Sequence, residues 1–163
     1  MNQLSPRMSL VLALFKKAQE KYEIAKQQSR EALDRANEEE DAMKSRYSTF
    51  KEEGQYLHRG LKQRANTLLE NINTLQSLLS SGFKMHDCKK ISNGSIVTVE
   101  FEDSGTAKYF IISVFGGERI NNDICTLSLT SPMARAILGK KEGDEFKVLL
   151  SKKVREGVIL DVQ

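Results

Sequence analysis

Between Ser9 and Leu79 the chain has no proline and only two glycines, Gly54 and Gly60. Apolar and small residues recur through this stretch every three or four positions. One series is Leu10, Leu14, Ala18, Tyr22, Ala25, Ser29, Ala32 and Ala36; a second is Phe50, Gly54, Leu57, Leu61, Ala65, Leu68, Ile72 and Leu75. That spacing marks one face of an α-helix and does not suit a strand. A single helix of about seventy residues lies far above ordinary helix lengths. The first series is mostly small and the second mostly Leu and Ile, so two helices folded back antiparallel pack large residues over alanines. Each arm is expected to be roughly 45–50 Å long at the helical rise. The turn is expected near Asp41 to Ser48. Thr49 with Glu52 offers a capping box for the second helix, with Ser48 as the alternative cap.

The chain changes character near residue 80. After Ser81-Gly82 glycines multiply and β-branched residues take over. Ile96 to Phe101 and Lys108 to Val114 are expected strands, joined around Asp103-Ser104-Gly105. Cys125 to Leu129, Glu145 to Leu150 and Gly157 to Val162 are further strand candidates. A short helix after Ser131 falls between two of them. The expected organisation is two-domain α+β: a hairpin over 1–80, a linker over 81–90, and a small α+β domain over 91–163 with its helix on one face of a mainly antiparallel sheet.

Scarce aromatics, no Trp and abundant charge in 163 residues do not suit one large core and fit a long charged helical part. The net charge is only +3, with cations and acids interleaved in both halves. No basic stripe of the kind that tracks a nucleic-acid backbone is present, so direct nucleic-acid binding is not expected. Cys88 and Cys125 form no C-x-x-C pair and are compatible with a reducing cytoplasm, without excluding one disulfide. Met8 to Phe15 reads as the first turns of a helix, since Lys16-Lys17 follows without a small-residue cleavage site. No segment approaches a membrane span. His86-Asp87-Cys88 has no second ligand pair at metal-site spacing and reads as linker. His58 lies off the apolar series and reads as solvated.

The sharpest chemical feature is Glu38-Glu39-Glu40-Asp41, at the expected far end of the hairpin. Four carboxylates at a helix C-terminus oppose its dipole and repel one another. A solvated charge run, helped by Lys44 and Arg46, is the plain reading. The functional reading is a set of oxygens offered to a hard cation such as Mg2+. On an exposed tip they cannot enclose a metal, but they can complete a site that belongs to a partner.

Near the end lies SPMARAILGKKEGDEF, Ser131 to Phe146. Ser131 can N-cap and Pro132 suits the first helical position. Ala134, Ala136, Ile137 and Leu138 make the helix apolar, and Gly139 falls where a left-handed C-cap is wanted. Lys140 and Lys141 complement the helix's negative end. Lys141-Glu142-Gly143-Asp144 reads as a tight turn into a strand.

This string resembles the C-terminal signature of the bacterial Gre (GreA/GreB) transcript-cleavage factors, with a Ser-Pro, an Ala-Arg-Ala, a Gly-Lys and a Gly-Asp at matching spacing. Gly94 to Phe101, and Tyr109 to Val114 leading to Gly116-Gly117, match the family's earlier strands more loosely. The resemblance implies an antiparallel coiled coil followed by an FKBP-like domain. It implies that the second domain docks on RNA polymerase while the coiled coil enters its secondary channel. Acidic tip residues then help hold a Mg2+ shared with the polymerase active centre, and the polymerase hydrolyses backtracked RNA. On this chain Asp41, Glu40 and Glu39 are the implied metal-holding residues, with Asp41 and Glu40 in the catalytic role. Ser131, Pro132, Arg135 and Lys140 are the implied polymerase contacts, although Ser131 and Pro132 equally well simply start a helix. The family pattern has an Asp, two residues, then a Glu, with a Tyr shortly after. Asp41 takes the Asp position and Tyr47 lies one residue from the Tyr position, but the Glu position falls on Lys44. Some family paralogues occupy the channel without cleaving, and they inhibit or modulate the enzyme.

The expected function is therefore a cytoplasmic transcription elongation factor that is at most a helper of the polymerase's own hydrolysis, acting as a monomer or weak dimer. The alternatives are a non-cleaving channel regulator, a peptidyl-prolyl isomerase and a coiled-coil adaptor. An isomerase needs an aromatic-lined apolar pocket, for which this half has few aromatics.

Overall fold

A computed structural model of the protein describes residues 5–42, 48–81, 90–121 and 123–163; at 36, 38–42 and 48–51 only the backbone is described. The N-terminal part is a helical hairpin. Helix α1 spans Pro6–Ala42 and α2 spans Ser48–Ser81. The second helix begins at Ser48, so Thr49 lies inside it rather than capping it. The chain divides into two compact units, Phe15–Thr74 and Met1–Leu14 with Leu75–Gln163.

The periodicity read from the sequence largely sets the buried face of the arms. On α1, Leu10, Val11, Leu14, Ala18, Ala25, Ser29 and Ala32 are buried; on α2, Ala65, Leu68, Ile72 and Leu75 are buried. The two series break down at one level. Leu57 is 58% exposed. Its neighbour His58, expected in solvent, is instead part-buried against Ser29 of the other arm. Successive helical positions differ by about 100°, so the seam has moved one residue round the helix here. The cause is polar. Ser29 sits among Ala25 and Ala32 on a small-residue face, which leaves room for an imidazole to reach a main-chain carbonyl.

The second part is a six-stranded sheet in the order β3-β4-β2-β1-β6-β5. Its elements are β1 Ile96–Phe101, β2 Gly105–Ile112, β3 Arg119–Ile120, β4 Ile124–Ser128, α3 Pro132–Ile137, β5 Glu145–Leu150 and β6 Lys153–Val162. Every pairing is antiparallel except β2 with β4. Several bounds differ from expectation. β2 starts at Gly105, opposite Phe101, because the antiparallel ladder with β1 continues to the turn. It ends at Ile112 rather than Val114. β6 starts at Lys153, since a two-residue turn joins it to β5 and pairing begins at once. β3 is only two residues long and carries no alternation to read.

The core on one face of the sheet gathers Ile91, Val97, Val99, Phe101, Ile111, Phe146, Val148 and Ile159 under Met133 and Ile137 of α3. The strands approach closely at Gly157. A Cβ there would lie 2.4 Å from the Glu100 carbonyl oxygen and 2.9 Å from Phe146 Cζ. A register shift at Thr98/Val99 leaves Leu160 as the extra residue on β6, 40% exposed. Thr126 is fully buried and organises the crossover into β4. Its hydroxyl donates to the Phe115 carbonyl (2.8 Å) and accepts from the Glu118 N–H (2.9 Å). Its backbone N–H reaches the Glu118 carbonyl and its carbonyl takes the Gly117 N–H, both at 2.8 Å. These bonds hold Phe115 at a φ of 61°.

Candidate functional site

Two regions carry the residues singled out by sequence. The first is the end of α1. The helical backbone continues through Glu38, Glu39, Glu40 and Asp41 to Ala42. The carboxylates of these residues, and all of Lys44 and Tyr47, lie outside the described residues. The backbone still constrains what they can do. Neighbouring helical positions do not face one another, so Glu39, Glu40 and Asp41 cannot all converge on one cation from this helix. The donor set fits Mg2+ in type, since Mg2+ takes one or two carboxylates and completes its octahedron with water and phosphate. It does not fit a closed, self-sufficient site. Among the described residues no group of three or more His, Cys, Asp or Glu could hold a metal.

The second region is α3 and the turn after it. Ser131 is extended (φ −66°, ψ 146°) and its Oγ accepts from the Ala134 N–H at 3.2 Å, an N-cap closing the first turn. Pro132 follows at the start of the helix. The Leu138 N–H returns to the Ala134 carbonyl at 2.8 Å, and Gly139 takes a φ of 77°, which a glycine adopts without strain. The Gly139 N–H then donates to the Ile91 carbonyl, and the Ile91 N–H to the Lys140 carbonyl, both at 2.9 Å. The Asp144 carboxylate accepts from the Lys141 N–H at 2.8 Å, while Gly143 at a φ of 85° donates to the Ile159 carbonyl.

Most of the string is therefore architecture. Met133, Ala134 and Ile137 are buried. Ser131 is half-buried and uses its hydroxyl as a cap, and half-buried Lys140 is tied to the core through its backbone. Of the four implied polymerase contacts, Pro132 and Arg135 are the exposed ones. They share one short helix, whereas Ser131 and Lys140 stand at its two ends. What the arrangement offers a partner is a rigid helix presenting a proline and a cation.

Sequence reasoning missed the polar cluster beside the β1–β2 turn. The Arg155 guanidinium lies 4.2 Å from the centre of the Phe101 ring and bonds Asp103 Oδ1 through Nε at 3.1 Å and Nη2 at 2.7 Å. Arg155 Nη2 also donates to Ser104 Oγ, and Lys153 reaches Asp103 Oδ2 at 3.3 Å. The Arg155 hydrogen bonds, with help from Lys153 and Ser104 and against partial desolvation, hold the Asp103 carboxyl at about 2, below its usual 3.8. The same contact raises Arg155. Half-buried Tyr109 is pushed up by desolvation and by Cys125, its register partner on β4. No local spacing signals an ion pair between residues fifty apart.

A cleft of about 480 Å³ opens on the sheet between β1, β5 and β6. Phe101 and Phe146 line it, but so do Glu100, Glu102, Glu145, Glu156 and Lys147. That charged lining does not suit a proline ring.

Residues 86–163 match the family described as transcription elongation factor, GreA/GreB, C-terminal. The chain is 31% identical over 116 residues to transcription elongation factor GreA of Maridesulfovibrio salexigens, covering 68% of this chain and 69% of that protein. It is 42% identical over 59 residues to the GreA of Nitratidesulfovibrio vulgaris. Against that GreA and two others, of Syntrophus aciditrophicus and Neisseria meningitidis, it spans 36%, 66% and 66% of the relative's length. Among solved structures, the GreA factor homolog 1 (Gfh1) of Thermus thermophilus is 19% identical, with 96% of this chain and 94% of that chain covered at a TM-score of 0.39. No helix among the described residues is long and apolar enough to cross a membrane. The identity of 31% across 68% of this chain and 69% of a GreA, together with the match of residues 86–163, places the chain in the GreA/GreB family of transcription elongation factors.

Proposed function

We propose that this protein binds bacterial RNA polymerase in the cytoplasm as a secondary-channel elongation factor. The hairpin enters the channel, and the Asp41 carboxylate completes a Mg2+ site in the polymerase active centre, with Glu40, the next position round the helix, able to take its place. Glu39 is the adjacent reserve of negative charge. The observation that carries this reading is the placement of the acidic run. It closes α1 at the turn end of a hairpin whose arms are tied by the Ser29–His58 bond. When bound there, Mg2+ supplies charge stabilisation for in-line attack on a phosphodiester. The chain's own contribution is a carboxylate carried at the end of a helix. Pro132 and Arg135 form the exposed docking pair on α3, with Lys140 beside them and Ser131 holding the helix start.

A second reading is favoured by one residue. Lys44 stands where the family pattern has a Glu, and a cation there repels a metal rather than holding it. In that reading the protein occupies the channel and regulates the polymerase without stimulating cleavage.

The test is RNA cleavage in a stalled, backtracked elongation complex, compared among the native chain, Asp41→Ala and Lys44→Glu. The first reading expects cleavage with the native chain and a loss of about tenfold or more with Asp41→Ala. The second expects binding without cleavage, with activity appearing in Lys44→Glu. Failure to bind core polymerase sinks both.

A further inference from the structure

One edge of the sheet is open. Among the described residues β5 hydrogen-bonds on one side only, to β6. The opposite edge, β3, has two residues, too few to template a partner; β5 has six. Long edge strands in monomers are blunted by prolines, bulges or free charges. β5 has no proline, and its register against β6 is unbroken. Its cation, Lys147, is drawn back at 2.7 Å to Glu156 of the neighbouring strand. Leu149 and Val154, direct partners across the β5–β6 turn, are 61% and 57% exposed. An apolar pair therefore stands in solvent beside a backbone edge that is unpaired among the described residues.

The hairpin register says which backbone groups are free. Leu150 and Lys153 flank a two-residue turn and form its closing hydrogen-bonded pair. Alternation then points the backbone groups of Phe146, Val148 and Leu150 at β6, and those of Glu145, Lys147 and Leu149 at the open edge.

We propose that β5 is a self-association edge, at which two copies of this chain pair antiparallel about a two-fold axis at Val148 to make one continuous sheet. Five symmetric registers let edge-facing residues exchange hydrogen bonds, but axes at Glu145 and Leu149 bond only one residue to its own copy before Lys147 meets the turn at Gly143 or Ser151, where φ is 85° or 51°. An axis at Lys147 sets Lys147 against its own copy, which is repulsive. An axis at Phe146 sets Glu145 against Lys147, but it runs into the turn at Gly143, where φ is 85°, and places Leu149 against that glycine. An axis at Val148 uses the strand from Phe146 to Leu150. Each Leu149 then faces Lys147 of the second copy, whose methylene stem covers it. The two Leu149 side chains become diagonal neighbours across the axis, with Val154 extending the stripe on each side. Of the registers that bond two residues on each strand clear of the turns, this one covers the exposed apolar pair without setting like charges together.

Pairing of two short strands covers well under the roughly 800 Å² per partner of a standard interface, so the dissociation constant is expected on the order of 100 µM. The experiment is sedimentation velocity on the full chain from about 5 to 500 µM, a range that brackets that constant. The native mass should rise from 18.4 kDa toward twice that value. Leu149→Lys places a lysine opposite Lys147 twice and should weaken association about tenfold or more. Leu149→Glu places a carboxylate opposite Lys147 twice and should associate at least as well as the native chain. Adding Lys147→Glu to that variant should abolish the gain. Position 149 is exposed, and circular dichroism checks that each variant keeps its fold. A native chain that stays monomeric throughout overturns the proposal. So does Leu149→Lys associating like the native chain, which locates the contact elsewhere. Equal loss in Leu149→Glu and Leu149→Lys also overturns it, since it denies the register.

Discussion

His58 Nδ1 lies 2.8 Å from the Ser29 carbonyl oxygen and 3.0 Å from Ser29 Oγ. A carbonyl only accepts, so Nδ1 carries the hydrogen that meets it. One bond thus joins the two arms through main chain on one side and an imidazole on the other. It fixes which residues of α2 face α1 at that level.

Loss of this bond should loosen the hairpin. His58→Ala is expected to cost about 1–2 kcal/mol, the net value of a part-buried hydrogen bond and its packing. Ser29→Ala keeps the carbonyl and should cost less than about 1 kcal/mol. Urea denaturation followed by helical ellipticity measures both. Equal effects would show that the hydroxyl, rather than the carbonyl, holds the ring.

Asp103 should make stability depend on acid pH. Its folded carboxyl titrates at about 2, held down first by Arg155, against an ordinary 3.8. A carboxyl depressed on folding stabilises the folded state above its unfolded value, and that contribution fades as pH falls from about 4 toward 2. Asp103→Asn should therefore lower the melting temperature at pH 7 and flatten its fall between pH 4 and 2. The two proteins should converge near pH 2. Asp103 is partly exposed, so added salt should shrink the difference at pH 7.

Gly157→Ala should be strongly destabilising for so small a change. The added methyl meets the Glu100 carbonyl oxygen at 2.4 Å, and backbone within a ladder does not yield as a side-chain tip does. A cost of about 1–3 kcal/mol is expected in thermal or chemical denaturation. A neutral result would mean that β1 and β6 can separate at this point.

Ser151 and Lys152 form the β5–β6 turn with φ of 51° and 68°. Two positive angles in a two-residue hairpin are the demand of a type I′ turn, which an Asn-Gly dipeptide meets best. The double substitution Ser151→Asn with Lys152→Gly should therefore stabilise the domain by about 1 kcal/mol. Differential melting measures it.

On α3, stability and docking should separate. Ser131→Ala removes the cap and should cost about 1 kcal/mol. Arg135→Glu, at an exposed site, should leave melting unchanged while weakening polymerase binding about tenfold or more. Binding lost equally in both variants would mean that the intact helix, rather than the arginine, is what the partner reads.

The elements legible in sequence are those whose cause lies within a few residues. Ser131, Pro132 and Gly139 announced the start and stop of α3 because capping and left-handed backbone are local matters. The alternation of β1 and β5 gave their bounds for the same reason. The sequence alone starts β2 three residues late and ends it two residues late, since Gly105-Thr106-Ala107 is extended by its ladder with β1 rather than by its own preference. The acidic run was plain in the sequence as chemistry, and the structure adds that its backbone stays helical to Ala42.

The period of both arms, the capped helix and the tight turns near Gly105 and Gly143 are written in the order of residues, since each follows from backbone geometry and near neighbours, whereas the Ser151-Lys152 turn carries no such signal. Long-range packing was needed to put His58 rather than Leu57 at the seam, to run β2 parallel beside β4, and to clamp Asp103 with Arg155 across the β1–β6 pair. Those outcomes are contests between distant partners. Free energy settles them only once the chain has brought a carbonyl, a strand edge or a carboxylate within bonding distance.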